Sequence, residues 1–545
     1  MLNLRKSKNW VYILGILLFS VIGTKALFHP GLFTAHDIWN QVVRFYYFSQ
    51  AVNDNQFPPY WISQLAKGFG YPLFFFSYSL PWTIGILLLK FRIDVYNVIK
   101  ILFFLSYLTS GIAMYFFVLN LLKERLAAFT SSILYLWLPY HFLIIFVGAS
   151  MGIAFVFTFL PIIFCGIIQM GRNEKIGITL FSLGLSGVIL SHIMHLLFLL
   201  PTILLFTLWT FINEYKKINI IKNISIGLFL TILISAFYLI PALNYNKSTK
   251  AHIESGFSEL YKRNFVNFSQ ILYSKWGFGP IINNAKNSET SFQLGFAQWI
   301  SIILLIIAII TKKISKNYLS LSLILLIIFV INIFLMLDYS EFIWRILIKY
   351  VPIDFPFRLL LPSAFITSTC AGVIIASSQK RLKIILSIFL ILIAIYTNRN
   401  HININLYTNY PLSTYLDSEL SLTTNTFNEY LPIQANTKLL DKPWKEVFGN
   451  YISSINTKQT TNSLSFDISL KETERVSIGQ FYFPGQTLYL DKKISQYNVD
   501  KDGLISFIAP KGRHSVIVKY QETFLIKFSK FLTILGILIT LLLFK

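Results

Sequence analysis

The sequence predicts an all-α polytopic membrane protein with about twelve transmembrane helices and a small antiparallel β-domain outside the membrane. Of the 545 residues, 55% are apolar and only 13% are charged, whereas a soluble protein is roughly 25% charged. The apolar residues are gathered in about a dozen runs, each close to the length needed to cross a bilayer. A separate stretch near the carboxyl end alternates between apolar and polar residues, which is typical of strands. These observations exclude a soluble enzyme, a disulfide scaffold and a disordered chain.

The apolar runs predict the position of each transmembrane helix. The first follows three basic residues and no acidic one, and it has no small-residue cleavage site, which is typical of a retained span whose amino end is cytoplasmic. The predicted spans are 10–28, 98–121, 127–147, 152–170, 176–192, 196–212, 222–241, 297–311, 317–337, 359–377, 382–397 and 524–544.

One further apolar stretch, 73–91, could be read either way. If it does not cross, nearly all the short basic loops fall on one side of the membrane, and the facing loops near 148–151 and 191–196 carry no basic residue. Because basic residues collect on the cytoplasmic side, we predict that 73–91 is an interfacial or re-entrant element on the outer face. Both ends of the chain are then cytoplasmic. The net charge of +23 is explained by topology and does not predict nucleic-acid binding.

The largest outer segment differs in composition from the rest of the chain. Segments such as SLSFDISL, RVSIGQFYF and HSVIVKY alternate with period two and are separated by turn residues in PGQ, KDG and PKGRH, which is the pattern of an antiparallel sheet. We therefore divide the chain into a transmembrane domain (1–397), an extracytoplasmic β-domain (398–523) and a carboxy-terminal transmembrane helix (524–545).

The first outer loop, 29–97, carries the residues best suited to chemistry. Asp37 follows the first span directly, with His36 beside it and Arg44 seven residues later, and the pattern from Asp37 to Val52 is that of an amphipathic interfacial helix. Asp37 either caps that helix or accepts a proton from an incoming hydroxyl at the edge of a membrane cavity. Asp54, between Asn53 and Asn55, is typical of a turn.

The order of motifs along the whole chain resembles the GT-C superfamily of membrane glycosyltransferases. It resembles more narrowly a bacterial family labelled 6-pyruvoyl-tetrahydropterin synthase-related membrane protein, although the eight histidines show no spacing for the zinc site of a soluble pterin synthase. The matching motifs are His36-Asp37, Gly68-Phe-Gly-Tyr-Pro72 with Pro81, Ser191-His192, Lys275-Trp-Gly-Phe-Gly279, Ser291-Phe-Gln-Leu-Gly295, Phe355-Pro-Phe-Arg358 and Asn428-Glu-Tyr-Leu-Pro432.

The resemblance implies inverting transfer of a sugar from a polyprenyl-phosphate donor to an envelope glycan or lipid acceptor on the outer face. It implies that Asp37 is the general base, with His36 beside it in the catalytic site. Arg44 is predicted to take part in substrate binding. Arg358 stands at the outer start of a span and is predicted to bind the donor phosphate, although an arginine there can also be an interfacial anchor. Arg345 and Lys349 are weaker candidates for the same role.

Two other groups are candidates for substrate binding. His192 and His195 share one helical face at a span end, where they could form a proton relay or half of a metal site, or merely pack. Trp276 and Phe292 offer rings next to glycine turns, for a sugar or an isoprenoid chain, although an aromatic interface belt is the commoner explanation of such residues. Some GT-C enzymes use a divalent metal, but no Asp-x-Asp stands in the first loop. The sequence therefore predicts no cofactor and gives no support for a metal.

Two other classes of function remain as alternatives. Twelve spans also suit a transporter or flippase of lipid-linked oligosaccharides, but the predicted spans hold no acidic residues and the two halves of the chain show no repeat. A non-catalytic envelope assembly protein is the third possibility. No Walker motif is present, so an ATP-driven pump is not predicted.

Overall fold

The structure is a computed structural model, and it describes residues 9–213, 217–252, 260–281, 283–351, 353–419, 422–425, 428–449 and 452–544. The basic residues before Asn9, which support the predicted cytoplasmic amino end, lie outside the described residues. The helices are α1 Asn9–Gly23, α2 Ile38–Asn53, α3 Leu73–Phe76, α4 Leu80–Leu89, α5 Val95–Leu122, α6 Arg125–Leu136, α7 Pro139–Phe142, α8 Met151–Gly171, α9 Ile176–Asn213, α10 Lys217–Ile234, α11 Ala236–Tyr245, α12 Leu260–Arg263, α13 Phe268–Leu272, α14 Phe296–Ile310, α15 Lys316–Met336, α16 Glu341–Leu347, α17 Leu360–Ser377, α18 Lys380–Asn398, α19 Leu412–Leu416 and α20 Phe524–Leu543.

The helical part confirms the prediction of a polytopic membrane protein. Within the described ranges, seven helices are long and apolar enough to cross a bilayer, or nine if two bent pairs each form one span. The bent pairs are Arg125–Leu136 with Pro139–Val147, at 48°, and Asn219–Ile234 with Ala236–Ser248, at 70°. A helix stands at each of the twelve predicted positions, but α1 and α14 have 15 residues each, which is about 22 Å and shorter than the bilayer core.

Helix α9 contains a reversal of the chain. It has 38 residues, and the backbone of His192 is not helical (φ −164°, ψ 86°). The start of α8 lies against Ser191, since a Cβ added at Gly152 would be 2.2 Å from the Ser191 carbonyl oxygen. Further along α8, the ring of Phe164 is 4.9 Å from that of Phe206. The residues after His192 therefore run back along α8, as the two predicted spans 176–192 and 196–212 require.

The stretch 73–91 does not form a helix of membrane-spanning length. It contains the short α3 and the ten-residue α4, and ten helical residues extend only about 15 Å. The prediction of an interfacial or re-entrant element agrees with these lengths.

The β-domain consists of two antiparallel sheets that enclose their own apolar core. One sheet has the order β3-β6-β10-β9 and the other β4-β5-β11-β7-β8. Side chains alternate between buried and partly buried along β5, as the period-two pattern predicts. The strands are β1 Leu32–Phe33, β2 Tyr407–Thr408, β3 Val447–Phe448, β4 Ile452–Gln459, β5 Ser463–Leu470, β6 Glu474–Phe481, β7 Gln486–Leu490, β8 Lys493–Ser495, β9 Asn498–Val499, β10 Leu504–Ala509 and β11 Gly512–Tyr520.

The two sheets occupy only 447–520 of the predicted 398–523. Before them, β2 pairs antiparallel with β1, with Leu32 opposite Thr408, which fixes the chain just ahead of Asp37. The sheets also pack on the first outer loop, because the Phe481 N–H donates to the carbonyl of Phe69 (2.7 Å) and their rings stack at 5.0 Å. The β-domain therefore helps to hold the loop that carries Asp37.

Candidate functional site

Asp37 stands directly before α2, where the sequence predicts the start of a helix. Its side chain does not cap that helix, so the capping interpretation is wrong. The carboxylate instead accepts a hydrogen bond through Oδ2 from the hydroxyl of Ser150, at 3.2 Å. This partly buried carboxylate therefore contacts the turn before α8 and not the first turn of α2.

The backbone around Asp37 is bound to that same turn. The N–H groups of His36 and Asp37 donate to the carbonyls of Val147 (2.8 Å) and Gly148 (3.0 Å). One helical turn later, the Gln41 amide donates to the carbonyl of Ala149 at 2.9 Å. Three backbone carbonyls in succession therefore hold the start of α2, which fixes the position of the carboxylate.

Burial and nearby charges act on Asp37 in opposite directions. Burial raises the pKa of the Asp37 carboxyl above its ordinary value. The charges of Arg44, His36 and Arg358, together with the hydrogen bond from Ser150, favour the ionised form but do not cancel the effect of burial. A carboxylate with a raised pKa is a stronger base than an exposed aspartate.

Arg358 lies at the start of the helical segment that leads into α17, and its charge is neutralised inside the protein. Its Nη2 is 2.8 Å from Oδ2 of Asp354, and both residues are buried. Burial raises the pKa of Asp354, and the charge of Arg358 lowers it in part. This ion pair fixes one edge of the guanidinium.

The other edge of the guanidinium has no partner. Among the described residues, no group accepts a hydrogen bond from the buried Nη1 of Arg358. The ring centroids of Phe355 and Phe198 lie 5.0 and 6.0 Å from its central carbon, so aromatic faces flank the cation. A buried donor without a partner is costly, so this Nη1 is a candidate to donate to a ligand.

His192 and His195 contact each other next to this arginine. Their Nδ1 atoms share a hydrogen bond of 3.1 Å, and His195 has a buried Nε2 with no partner among the described residues. The charge of Arg358 acts on both rings, and that of Arg44 acts on His192. Asp37 and His192 therefore both lie within electrostatic range of Arg44 and Arg358, and these four residues are called the Asp37 cluster below.

Arg44 and His36 connect this cluster to two outer segments. Arg44 donates from Nε to the Thr424 hydroxyl at 2.9 Å and from Nη2 to the Thr424 carbonyl. His36 is exposed, and its Nε2 is 3.1 Å from the carbonyl oxygen of Phe278. Both side chains therefore have structural partners at the edge of the site.

The two aromatic candidates pack against other rings. Trp276 packs on His401 with ring centroids 4.2 Å apart, and burial lowers the pKa of His401 to about 4, so that its ring is neutral. Phe292 is fully buried against Phe357, and their ring centroids are 4.5 Å apart.

Of the weaker arginine and lysine candidates for phosphate binding, Arg345 is exposed and pairs with Glu341 at 3.1 Å.

Sequence reasoning missed two residues of the site, Ser150 and Asp354. Asp354 stands four residues before Arg358, which is a common spacing for an ion pair and could have indicated it. Ser150 carries no comparable signal, because only the fold brings residue 150 to residue 37.

No group of three or more His, Cys, Asp or Glu side chains in the described part of the chain is placed to hold a metal ion.

Parts of the chain are similar to two known proteins. No model of a known protein family matches the chain. An uncharacterized protein of Lactococcus lactis subsp. cremoris (strain MG1363) is 27% identical over 289 residues, which are 50% of this chain and 45% of that protein. The arabinofuranosyltransferase AftD from mycobacteria, solved by single-particle cryo-EM, aligns with a TM-score of 0.44 and 12% identity over 72% of this chain and 26% of AftD.

The chain thus spans less than half of the length of either protein. The resemblance to the pyruvoyl-tetrahydropterin synthase-related family stays a prediction.

Proposed function

We propose that this membrane protein is a GT-C-type glycosyltransferase that moves a sugar from a polyprenyl-phosphate donor to a hydroxyl group of an envelope acceptor. The observation that supports the proposal is that a carboxylate that does not cap its helix, Asp37, lies within electrostatic range of a buried arginine, Arg358, whose Nη1 has no partner among the described residues. One is suited to accept a proton and the other to bind a phosphate.

In the proposed reaction the acceptor oxygen attacks the anomeric carbon of the donor sugar. The bond between that carbon and the phosphate oxygen breaks, and the electron pair leaves with the polyprenyl phosphate. The proton of the acceptor hydroxyl passes to the carboxylate of Asp37. A single displacement of this kind inverts the configuration of the anomeric carbon.

Asp37 has two properties that suit the role of general base. Its pKa is raised by burial, which brings its basicity closer to neutral pH, where general-base catalysis is most efficient. Its position is fixed by the backbone hydrogen bonds to Val147 and Gly148. A base held in place in this way needs little reorganisation when the acceptor arrives.

Arg358 suits the leaving phosphate, on which negative charge develops in the transition state. Asp354 occupies Nη2 and leaves Nη1 for the ligand. Removing one such preorganised donor typically costs 10²- to 10³-fold in kcat. Phe198, which flanks Arg358, lies on α9, and the same helix exposes Leu204 and Leu208 further along. An exposed apolar helix surface of this kind suits contact with a polyprenyl tail.

Envelope chemistry in cells tests the proposal. We expect a strain lacking the gene to lose one sugar substituent from an envelope glycan, detected by mass spectrometry. The wild-type gene restores that substituent and Asp37→Asn does not, although both proteins are present in the membrane at equal amounts. Full restoration by Asp37→Asn would contradict catalysis and favour the transporter or assembly alternative.

A further inference from the structure

A polar cavity lies away from the Asp37 cluster, where α2 meets the β-domain. Its volume is 330 Å³. Tyr47 on its wall is ten residues beyond Asp37, which is about 15 Å along the helix axis. The residues that line it include Tyr46, Tyr47, Asp54, Gln64, Asp417 and Gln459.

The walls of this cavity are held by hydrogen bonds between the first loop and the β-domain. Asp54, predicted to stand in a turn, follows α2 directly and accepts through Oδ2 from the N–H and the hydroxyl of Thr461, at 2.8 and 2.7 Å. Gln459 donates from Nε2 to the carbonyls of Ser63 (2.8 Å) and Gly68 (2.9 Å). The cavity therefore exists before any ligand binds, which limits the entropy lost on binding.

Several groups on the wall are available to a ligand. The Gln64 Oε1 atom is buried and has no hydrogen-bond partner among the described residues. Asp417 is exposed. Burial, together with the charges of Tyr46 and Asp417, raises the pKa of Tyr47 to about 12, so its hydroxyl stays a neutral donor. Aromatic rings, an amide oxygen, a carboxylate and a phenol are all groups that can contact the faces and hydroxyls of a sugar.

The charge of the cavity restricts the class of ligand. The chain as a whole has a net charge of +23, but the described residues that line this cavity include Asp54 and Asp417 and neither lysine nor arginine. An anionic polymer would meet two carboxylates without a compensating cation. A neutral polyhydroxylated ligand fits the wall, because its hydroxyls can donate to the carboxylates and to Gln64.

From these observations we infer that the cavity between α2 and the β-domain is a binding site for a neutral oligosaccharide, which is the stem of the acceptor glycan. The assignment to the acceptor rests on the proposed glycosyltransferase function, whereas binding of a neutral oligosaccharide does not. The β-domain then acts in substrate recognition, by holding the glycan that is extended at Asp37.

Binding measurements on the purified full-length protein test this inference. The probes are neutral glucan, galactan and arabinan oligosaccharides, with oligogalacturonate as the anionic counterpart, followed by saturation-transfer NMR and titration. We expect a neutral probe to bind to the wild type and equally to Asp37→Asn. Tyr47→Ala removes an aromatic face and a hydroxyl from the wall, so it is expected to weaken binding by about tenfold, which is about 1.4 kcal/mol.

Asp417→Ala provides a variant that does not disturb packing, because this side chain is exposed. We expect it to weaken binding of the neutral probe several-fold, while Glu419→Ala, an exposed carboxylate two residues away, leaves binding unchanged. The inference is overturned if no neutral probe binds, if the anionic probe binds as tightly, or if neither Tyr47→Ala nor Asp417→Ala weakens binding. Binding without sugar transfer would overturn only the assignment to an acceptor.

Discussion

Substituting Arg358 by lysine tests whether the free edge of its guanidinium binds the donor phosphate. Arginine can hold Asp354 with one edge and a ligand with the other. Lysine keeps the positive charge, but its ammonium group is a single point on a flexible stem. If it pairs with Asp354, it cannot also reproduce the position of Nη1.

The size of the effect follows from the bond that is lost. A hydrogen bond to a charged group contributes about 1.5–3 kcal/mol, and each 1.4 kcal/mol is a factor of ten in affinity. We therefore expect Arg358→Lys to weaken binding of polyprenyl phosphate by roughly ten- to a hundredfold. Because Arg358 is only 8% exposed, water replaces the missing donor less readily than it would at the surface.

The assay is titration of the purified protein in lipid nanodiscs with polyprenyl phosphate, compared with the same prenol lacking the phosphate. Arg345→Lys is the matched control, because Arg345 also pairs with an acid four residues earlier, Glu341, but at an exposed site. Exposed ion pairs contribute only about 0–1 kcal/mol. We expect the control to bind as the wild type does.

If the folded Arg358→Lys and Arg345→Lys proteins bind polyprenyl phosphate with equal affinity, the free edge of Arg358 does not bind the donor phosphate. A loss of affinity for the phosphate-free prenol as well would show that the substitution had damaged the lipid path and not the phosphate contact.

Two further predictions concern the surroundings of Asp37. Ser150→Ala removes a hydrogen bond that favours the ionised carboxylate, so the pKa of Asp37 rises further and the acidic fall in transfer activity moves to higher pH; a pH profile identical to the wild type would contradict this. Gly152→Ala places a Cβ 2.2 Å from the Ser191 carbonyl oxygen, so we expect overpacking of about 1–3 kcal/mol and a lower midpoint of thermal unfolding in detergent. An unchanged midpoint would show that α8 and α9 can separate without cost.

Local patterns in the sequence predicted local structure well. The amphipathic period from Asp37 to Val52 predicted α2, which runs from Ile38 to Asn53. The alternation in SLSFDISL predicted β5, whose side chains alternate in burial. These predictions succeed because the period of the apolar residues is set by the geometry of a single element.

Features that depend on distant segments were predicted less well. The sequence predicted that Asp37 and Arg358 serve one site, but not that Asp354 neutralises Arg358 or that Ser150 contacts Asp37. The capping role of Asp37 was a reasonable expectation from helix chemistry, and the turn before α8 overrides it. Residues 398–446 were placed in the β-domain by composition, whereas the two sheets begin at Val447.

The most direct test of the account measures sugar transfer by the Asp37→Asn protein. Wild type and variant are reconstituted with a polyprenyl-phosphate sugar and an envelope extract, and the released polyprenyl phosphate is quantified. Asp338→Asn, at an exposed ion pair with Lys286, is the control. We expect the wild type and the control to release polyprenyl phosphate. In Asp37→Asn we expect the rate of release to fall by at least about a hundredfold, while the donor still binds. Release by Asp37→Asn at the wild-type rate would contradict the account.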